Sequence, residues 1–115
     1  MKYLFNKAIT INMGAGLSLD EKIKYIFVGT YFTNDSTALI AFNEADERLS
    51  DISINVPESM LLDDNQFFLN DTNTAESFKN FAEENGYLKP IGMKSNLGYY
   101  AYELTDKFYG LKKEK

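Results

Sequence analysis

The sequence predicts an α+β fold: a curved, mostly antiparallel sheet of five to seven strands with one main helix, at about 74–85, packed on it. Three observations carry this. Short β-branched and aromatic runs separated by turn residues recur through residues 2–56. One well-capped amphipathic segment follows at 73–86. Two further aromatic runs close the chain. With 115 residues, 44% hydrophobic and 25% charged, the chain has the size and composition of one ordinary globular domain. It is read as a single domain over 1–115, with 111–115 as a frayed tail.

Residues 2–13 are the first expected strand, with Ile9 and Ile11 on one face and Thr10 and Asn12 on the other. Gly14-Ala15-Gly16 breaks it. Ser18-Leu19-Asp20-Glu21 has capping-box spacing, which could open one helical turn. From Ile23 to Phe32 the composition becomes that of a strand. Thr33-Asn34-Asp35-Ser36 is a turn, and Thr37 to Asn43 is the returning strand. Glu44 to Arg48 reads as an acidic loop. Residues 51–56 alternate, placing Ile52, Ile54 and Val56 inward and Asp51, Ser53 and Asn55 outward, before Pro57 ends the strand.

Gln66 to Asn70 is a short strand leading into the helix. Asn73 is the expected N-cap, with Glu76 three residues on. Ala75, Phe78, Phe81 and Ala82 form the buried stripe, and Lys79 and Asn80 face solvent. Asn85-Gly86 stops the helix, with Gly86 left-handed and Tyr87 folding back on the last turn. Glu83 and Glu84 stand at the negative end of the helix dipole, a mildly unfavourable place for acids. Residues 88–94 and 97–105 form a terminal hairpin around Ser95-Asn96, with Tyr100, Tyr102 and Leu104 on one face, Tyr99 and Ala101 on the other, and Phe108 and Tyr109 capping the core.

Composition restricts the chemistry. Without Cys there is no disulfide, thiol catalysis or thiolate metal site. Without His the commonest general base and zinc ligand are missing as well. The sequence therefore points to a protein that is not an enzyme and carries no cofactor or metal. The N-terminal apolar run, Tyr3-Leu4-Phe5, is shorter than the about 7–15 residues of a secretory signal. The stretch Tyr25 to Thr33 is far below the ~20 residues of a spanning helix. A cytoplasmic location and no membrane partner are the expectation.

Net charge is −5, unevenly spread. Residues 44–84 hold eleven acids and two bases, a net −9, against ten bases and six acids elsewhere, +4. Such a field repels nucleic acid and has three readings: a plain solvated surface, a docking surface for a partner protein with a basic surface, or a mimic of nucleic acid that blocks a basic groove. Glu44, Asp46 and Glu47 in one loop and Asp63 and Asp64 in another are the expected contacts, since loops project from a rigid sheet.

Other motifs weigh less. Gly14-Ala15-Gly16 lacks the third glycine of a dinucleotide fingerprint and the Lys-Ser/Thr of a phosphate loop, so it reads as a turn. Asp63-Asp64-Asn65 lacks the calcium-loop pattern and reads as a solvated acidic turn. Tyr99, Tyr100, Tyr102, Phe108 and Tyr109 lack the interleaved bases of a nucleic-acid stacking platform, leaving core packing or a protein-binding patch.

The order of certain motifs resembles a known family. Ile54-Asn55-Val56-Pro57, then 67–73 (Phe-Phe-Leu-Asn-Asp-Thr-Asn), then 81–86 (Phe-Ala-Glu-Glu-Asn-Gly), then Gly92 and Ser95 to Tyr102 are similar to the small bacterial and phage family catalogued as domain of unknown function 4313. The resemblance covers about residues 37–105. Residues 14–22 look longer than the family's first turn, and Ile91-Gly92-Met93 stands where the family has Thr-Gly-Arg, so no role of that Arg carries over. The resemblance implies no activity. It implies a phage or mobile-element origin, where small acidic proteins often inhibit host defence nucleases, as anti-CRISPR proteins do. An alternative is a small-ligand protein or enzyme working with Asp, Glu and Tyr alone.

Overall fold

The computed structural model describes residues 1–56 and 62–114. Pro57, Glu58 and Lys115 therefore lie outside the described residues. The fold is α+β, built on two open antiparallel sheets. Strands β1 (Lys2–Gly14), β2 (Leu17–Thr30), β3 (Thr37–Phe42) and β4 (Arg48–Asp51) belong to the first sheet. Strands β5 (Ser53–Ile54) and β6 (Gln66–Leu69) belong to the second. Then come helix α1 (Asn73–Glu84), strands β7 (Leu88–Lys94) and β8 (Tyr100–Leu104), helix α2 (Asp106–Tyr109) and β9 (Lys113–Glu114). The strand orders are β4-β3-β2-β1-β9 and β5-β6-β8-β7.

The helical turn that the capping pattern allowed at Ser18 to Glu21 does not form. Those residues are the start of β2, where Leu19 pairs with Ile11 and Asp20 with Thr10. Ladder pairing along a long hairpin overrides a local capping pattern. The turn of that hairpin is Gly14-Ala15-Gly16, with φ of 83°, 52° and 76°, a run of left-handed residues that two glycines make inexpensive. A second irregularity sits in β1 itself. Asn6, at φ 50°, is the extra residue of a bulge between Leu4 and Lys7.

The expected continuous strand 51–56 is broken at Ile52, where the chain passes from one sheet to the other. Ile52 donates its N–H to the Leu39 carbonyl of β3, and its carbonyl accepts the Asn70 N–H beyond β6. The crossing turns Ser53 inward instead of outward: its Oγ accepts the Leu39 N–H at 2.8 Å and shares a 2.7 Å hydrogen bond with the Tyr31 hydroxyl. A buried hydroxyl needs such partners.

Helix α1 packs across β1 and completes the core. Ala75, Phe78 and Ala82 are fully buried, and Phe81 is half-buried at the margin. Phe5 stands between Phe78, Phe81 and Tyr87, with ring centroids 5.4, 5.8 and 5.5 Å away. The N-cap is Thr72 rather than Asn73; its hydroxyl accepts the Ala75 N–H at 3.1 Å. At the other end Tyr87 donates its N–H to Ala82 and Gly86 to Glu83, the double bond of a left-handed helix stop, with Gly86 at φ 83°. Lys79, expected in solvent, lies along Tyr102 with only 16% of its side chain exposed.

The C-terminal tail is paired, not frayed, over its described residues. Lys113 and Glu114 pair with Tyr3 and Lys2, and the Lys112 carbonyl accepts the Leu4 N–H at 2.8 Å. Phe108, held by α2, fills the core beneath Tyr3 and explains why the tail returns to this edge. No helix among the described residues is long and apolar enough to cross a membrane.

Candidate functional site

Loop 43–47 joins β3 to β4 and is tightly organised. The Asn43 side chain accepts the N–H groups of Ala45 and Glu47 at 2.9 Å each, and Asp46 takes φ 60°. Glu44 and Asp46 then reach the neighbouring strand, 2.5 Å from Lys22 and 3.7 Å from Lys24. The hydrogen bond and charge of Lys22 hold the Glu44 carboxyl below its ordinary range. Glu47 turns back toward the Asn43 amide. Two of the three acids in this loop are thus balanced by lysines from outside the acidic segment.

Asp63 and Asp64 stand in the turn before β6. The Asp63 carbonyl accepts the Gln66 N–H, and the Asp64 carbonyl accepts the Thr37 hydroxyl at 2.6 Å. Both are exposed. Thr37 begins β3, whereas loop 43–47 follows its end, so the two acidic loops stand at opposite ends of a six-residue strand, roughly 17 Å apart. The structure does not bring Glu44, Asp46 and Glu47 onto one face with Asp63 and Asp64. Elsewhere in the segment Asp51 pairs with Arg48 and Glu76 with Lys79. The −9 of the sequence is dispersed around the molecule and partly neutralised.

The tyrosines divide in the same way. Tyr102 is buried in the core, Tyr99 packs on a smaller cluster with Val56, Phe68 and Ala101, and Tyr100 is 58% exposed. Between α1 and β8 lies an open groove of about 330 Å³ walled by Asp71, Glu76, Lys79, Tyr100 and Tyr102. In it the Lys79 ammonium sits 3.0 Å from Glu76 Oε1 and 6.0 Å from the Tyr102 ring. Burial pulls the Lys79 pKa down, but the hydrogen bond to Glu76 and the nearby negative charges outweigh it, and the net shift is upward. Burial pushes the Tyr102 hydroxyl up. The groove therefore offers an ammonium and a phenol, groups that can bind a polar ligand.

A second groove, of about 360 Å³, runs between β1 and α1, from Ala8, Thr10 and Asn12 on the strand to Ser77, Phe81 and Glu84 on the helix. Nothing in the sequence marks it, because it exists only once α1 lies beside the outer edge of β1. No group of three or more acidic side chains among the described residues is placed to hold a metal ion. Comparison with known proteins adds no relative: no family model matches the chain, and neither a curated protein nor a solved structure matches it.

Proposed function

We propose that this chain is a small, acidic, non-catalytic binding protein whose partner is a protein with a basic surface. The observation that carries the reading is where the charged groups go. Glu44, Asp46, Asp51 and Glu76 are each committed to a lysine or arginine, whereas Asp63, Asp64 and Glu84 are exposed with no ion pair among the described residues and stay available to a basic partner, and the grooves beside α1 are open to solvent. Groups tied up in surface pairs and open, shallow grooves suit recognition better than chemistry. The likeness of residues 37–105 to the phage and mobile-element family extends the proposal to an inhibitor of a host defence system, anti-CRISPR-like in its mode of action. Affinity capture from bacterial lysate, followed by mass spectrometry and reconstitution with the purified partner, tests it. The expected result is a stoichiometric complex that weakens with salt. Turnover of a small substrate by the chain alone would overturn it.

A second reading has one observation in its favour. Asp71, Glu76, Lys79, Tyr100 and Tyr102 converge on one groove, which suits a small ligand bearing both donor and acceptor groups. Lys79→Met would then abolish ligand binding and leave capture of a protein partner intact.

A further inference from the structure

The outer edge of β1 is closed at one end and open at the other. At Lys2 and Tyr3 it is covered by β9, and Leu4 still donates its N–H to the Lys112 carbonyl. Past the bulge at Asn6, no described strand pairs with β1 on the side away from β2. Asn12 shows which backbone groups face this side, because its N–H leaves the sheet to reach Ser77 Oγ at 3.1 Å. Strand alternation turns the N–H and C=O of Ala8 and Thr10 the same way, with Ile9 and Ile11 facing β2 and sending their side chains into the core. Ala8, Thr10 and Asn12 are all exposed.

An open edge invites a further strand. Here α1 limits what can enter. Its side chains Ser77, Asn80 and Phe81 line the far side of the groove, opposite Ala8, Thr10 and Asn12 of the strand. The groove continues past Asn12 to Gly14 and Glu76. The ionisable side chains lining its two parts are Glu76, which is paired with Lys79, and Glu84. Glu84 has no cationic partner among the described residues, and β9 shows that the same edge accepts an antiparallel strand.

We propose that the edge Ala8–Thr10, bounded by the Asn12–Ser77 hydrogen bond, is a strand-addition site that takes an extended, lysine- or arginine-bearing segment of a partner protein, held by backbone hydrogen bonds to Ala8 and Thr10 and by the charge of Glu84. This rests on the binding-protein reading and specifies its surface. Main-chain pairing supplies affinity, and the half-buried Phe81 ring beside the strand receives one side chain of the incoming segment.

The test uses the full chain and a synthetic peptide of about nine residues alternating Lys with Val, long enough to span the edge at ~3.4 Å per residue. Titration followed by amide NMR is expected to shift and protect Ala8 and Thr10. Thr10→Pro removes an outward N–H and should weaken binding roughly tenfold or more. Should that variant not fold, N-methylating alternate residues of the peptide tests the same bonds on the other partner. Glu84→Lys should weaken binding and flatten its salt dependence. An alternating Asp-Val peptide should not bind. The proposal is overturned if the Lys-Val peptide shifts residues elsewhere, or if N-methylation has no effect. It is equally overturned if the protein self-associates through this edge and Thr10→Pro abolishes the dimer, which would make a second copy the occupant. A captured partner that binds Thr10→Pro undiminished overturns the edge while leaving the binding-protein reading standing.

Discussion

The two ends of β1 lie on the same edge of the same sheet and are finished differently. The N-terminal end, Lys2 to Phe5, is enclosed: β9 pairs with its edge, Phe108 packs against Tyr3, and Phe78 packs against Phe5. The distal end, from Ala8 to the turn at Gly14-Ala15-Gly16, keeps only its inner face covered. Residues 12–20 are all exposed, with Met13, Leu17 and Leu19 in solvent. The bulge at Asn6 separates the two regimes. The comparison teaches that one strand can serve as core and as surface when its edge is covered over part of its length. The buried inner face supplies stability along the whole strand, through Phe5, Ile9 and Ile11, and recognition is left to the exposed edge of the distal end.

The largest effect expected from this contrast is in the core. Phe78→Ala, beneath Phe5, should cost about 3–5 kcal/mol in a denaturant titration. Leu19→Ala at the distal end should stay within about 0.5 kcal/mol. Equal losses would erase the distinction. Next in size is the place where the two sheets meet. Ser53→Ala strands the Leu39 N–H and the Tyr31 hydroxyl, and should cost about 1–3 kcal/mol.

A smaller effect comes from alkaline pH. Burial raises the Tyr31 and Tyr102 pKa values above 10.0, and that of Lys79 lies above 10.5 in spite of its burial. A pKa raised in the folded state contributes stability that is fully present below the unfolded value and lost as pH rises through the folded one. The denaturation midpoint should hold from neutrality to about pH 9 and fall above about pH 10, less steeply in Tyr31→Phe. A midpoint unchanged above pH 10 would show that these hydroxyls gain nothing from folding.

Much of the fold was legible because local signals and tertiary packing agree. Ile9 and Ile11 alternate inward as a half-buried strand should, and Gly86 stops α1 where a left-handed residue is required. The failures mark where the tertiary structure outvotes the local pattern. Ser53 was expected outside because a run of alternating residues does not reveal that the strand changes sheets at Ile52. The paired tail escaped notice because two charged residues have no strand signature until Phe108 anchors the chain beside β1. The candidate surface was the least legible part. Charge counted along the sequence suggested one acidic face, yet β3 separates Glu44 from Asp64 and lysines from β2 answer Glu44 and Asp46. A free strand edge is a property of topology and leaves no trace in composition.

The central claim, that the edge of β1 is open at Ala8 and Thr10, is tested most directly by amide hydrogen exchange in the free protein. Within one strand, the inward N–H of Ile9 is paired with β2 while the outward N–H groups of Ala8 and Thr10 face the groove. The account predicts that Ala8 and Thr10 exchange at least about a hundredfold faster than Ile9, with Leu4, covered by Lys112, protected like Ile9. Uniform protection from Leu4 to Thr10 would mean that the edge is already occupied, and would contradict it.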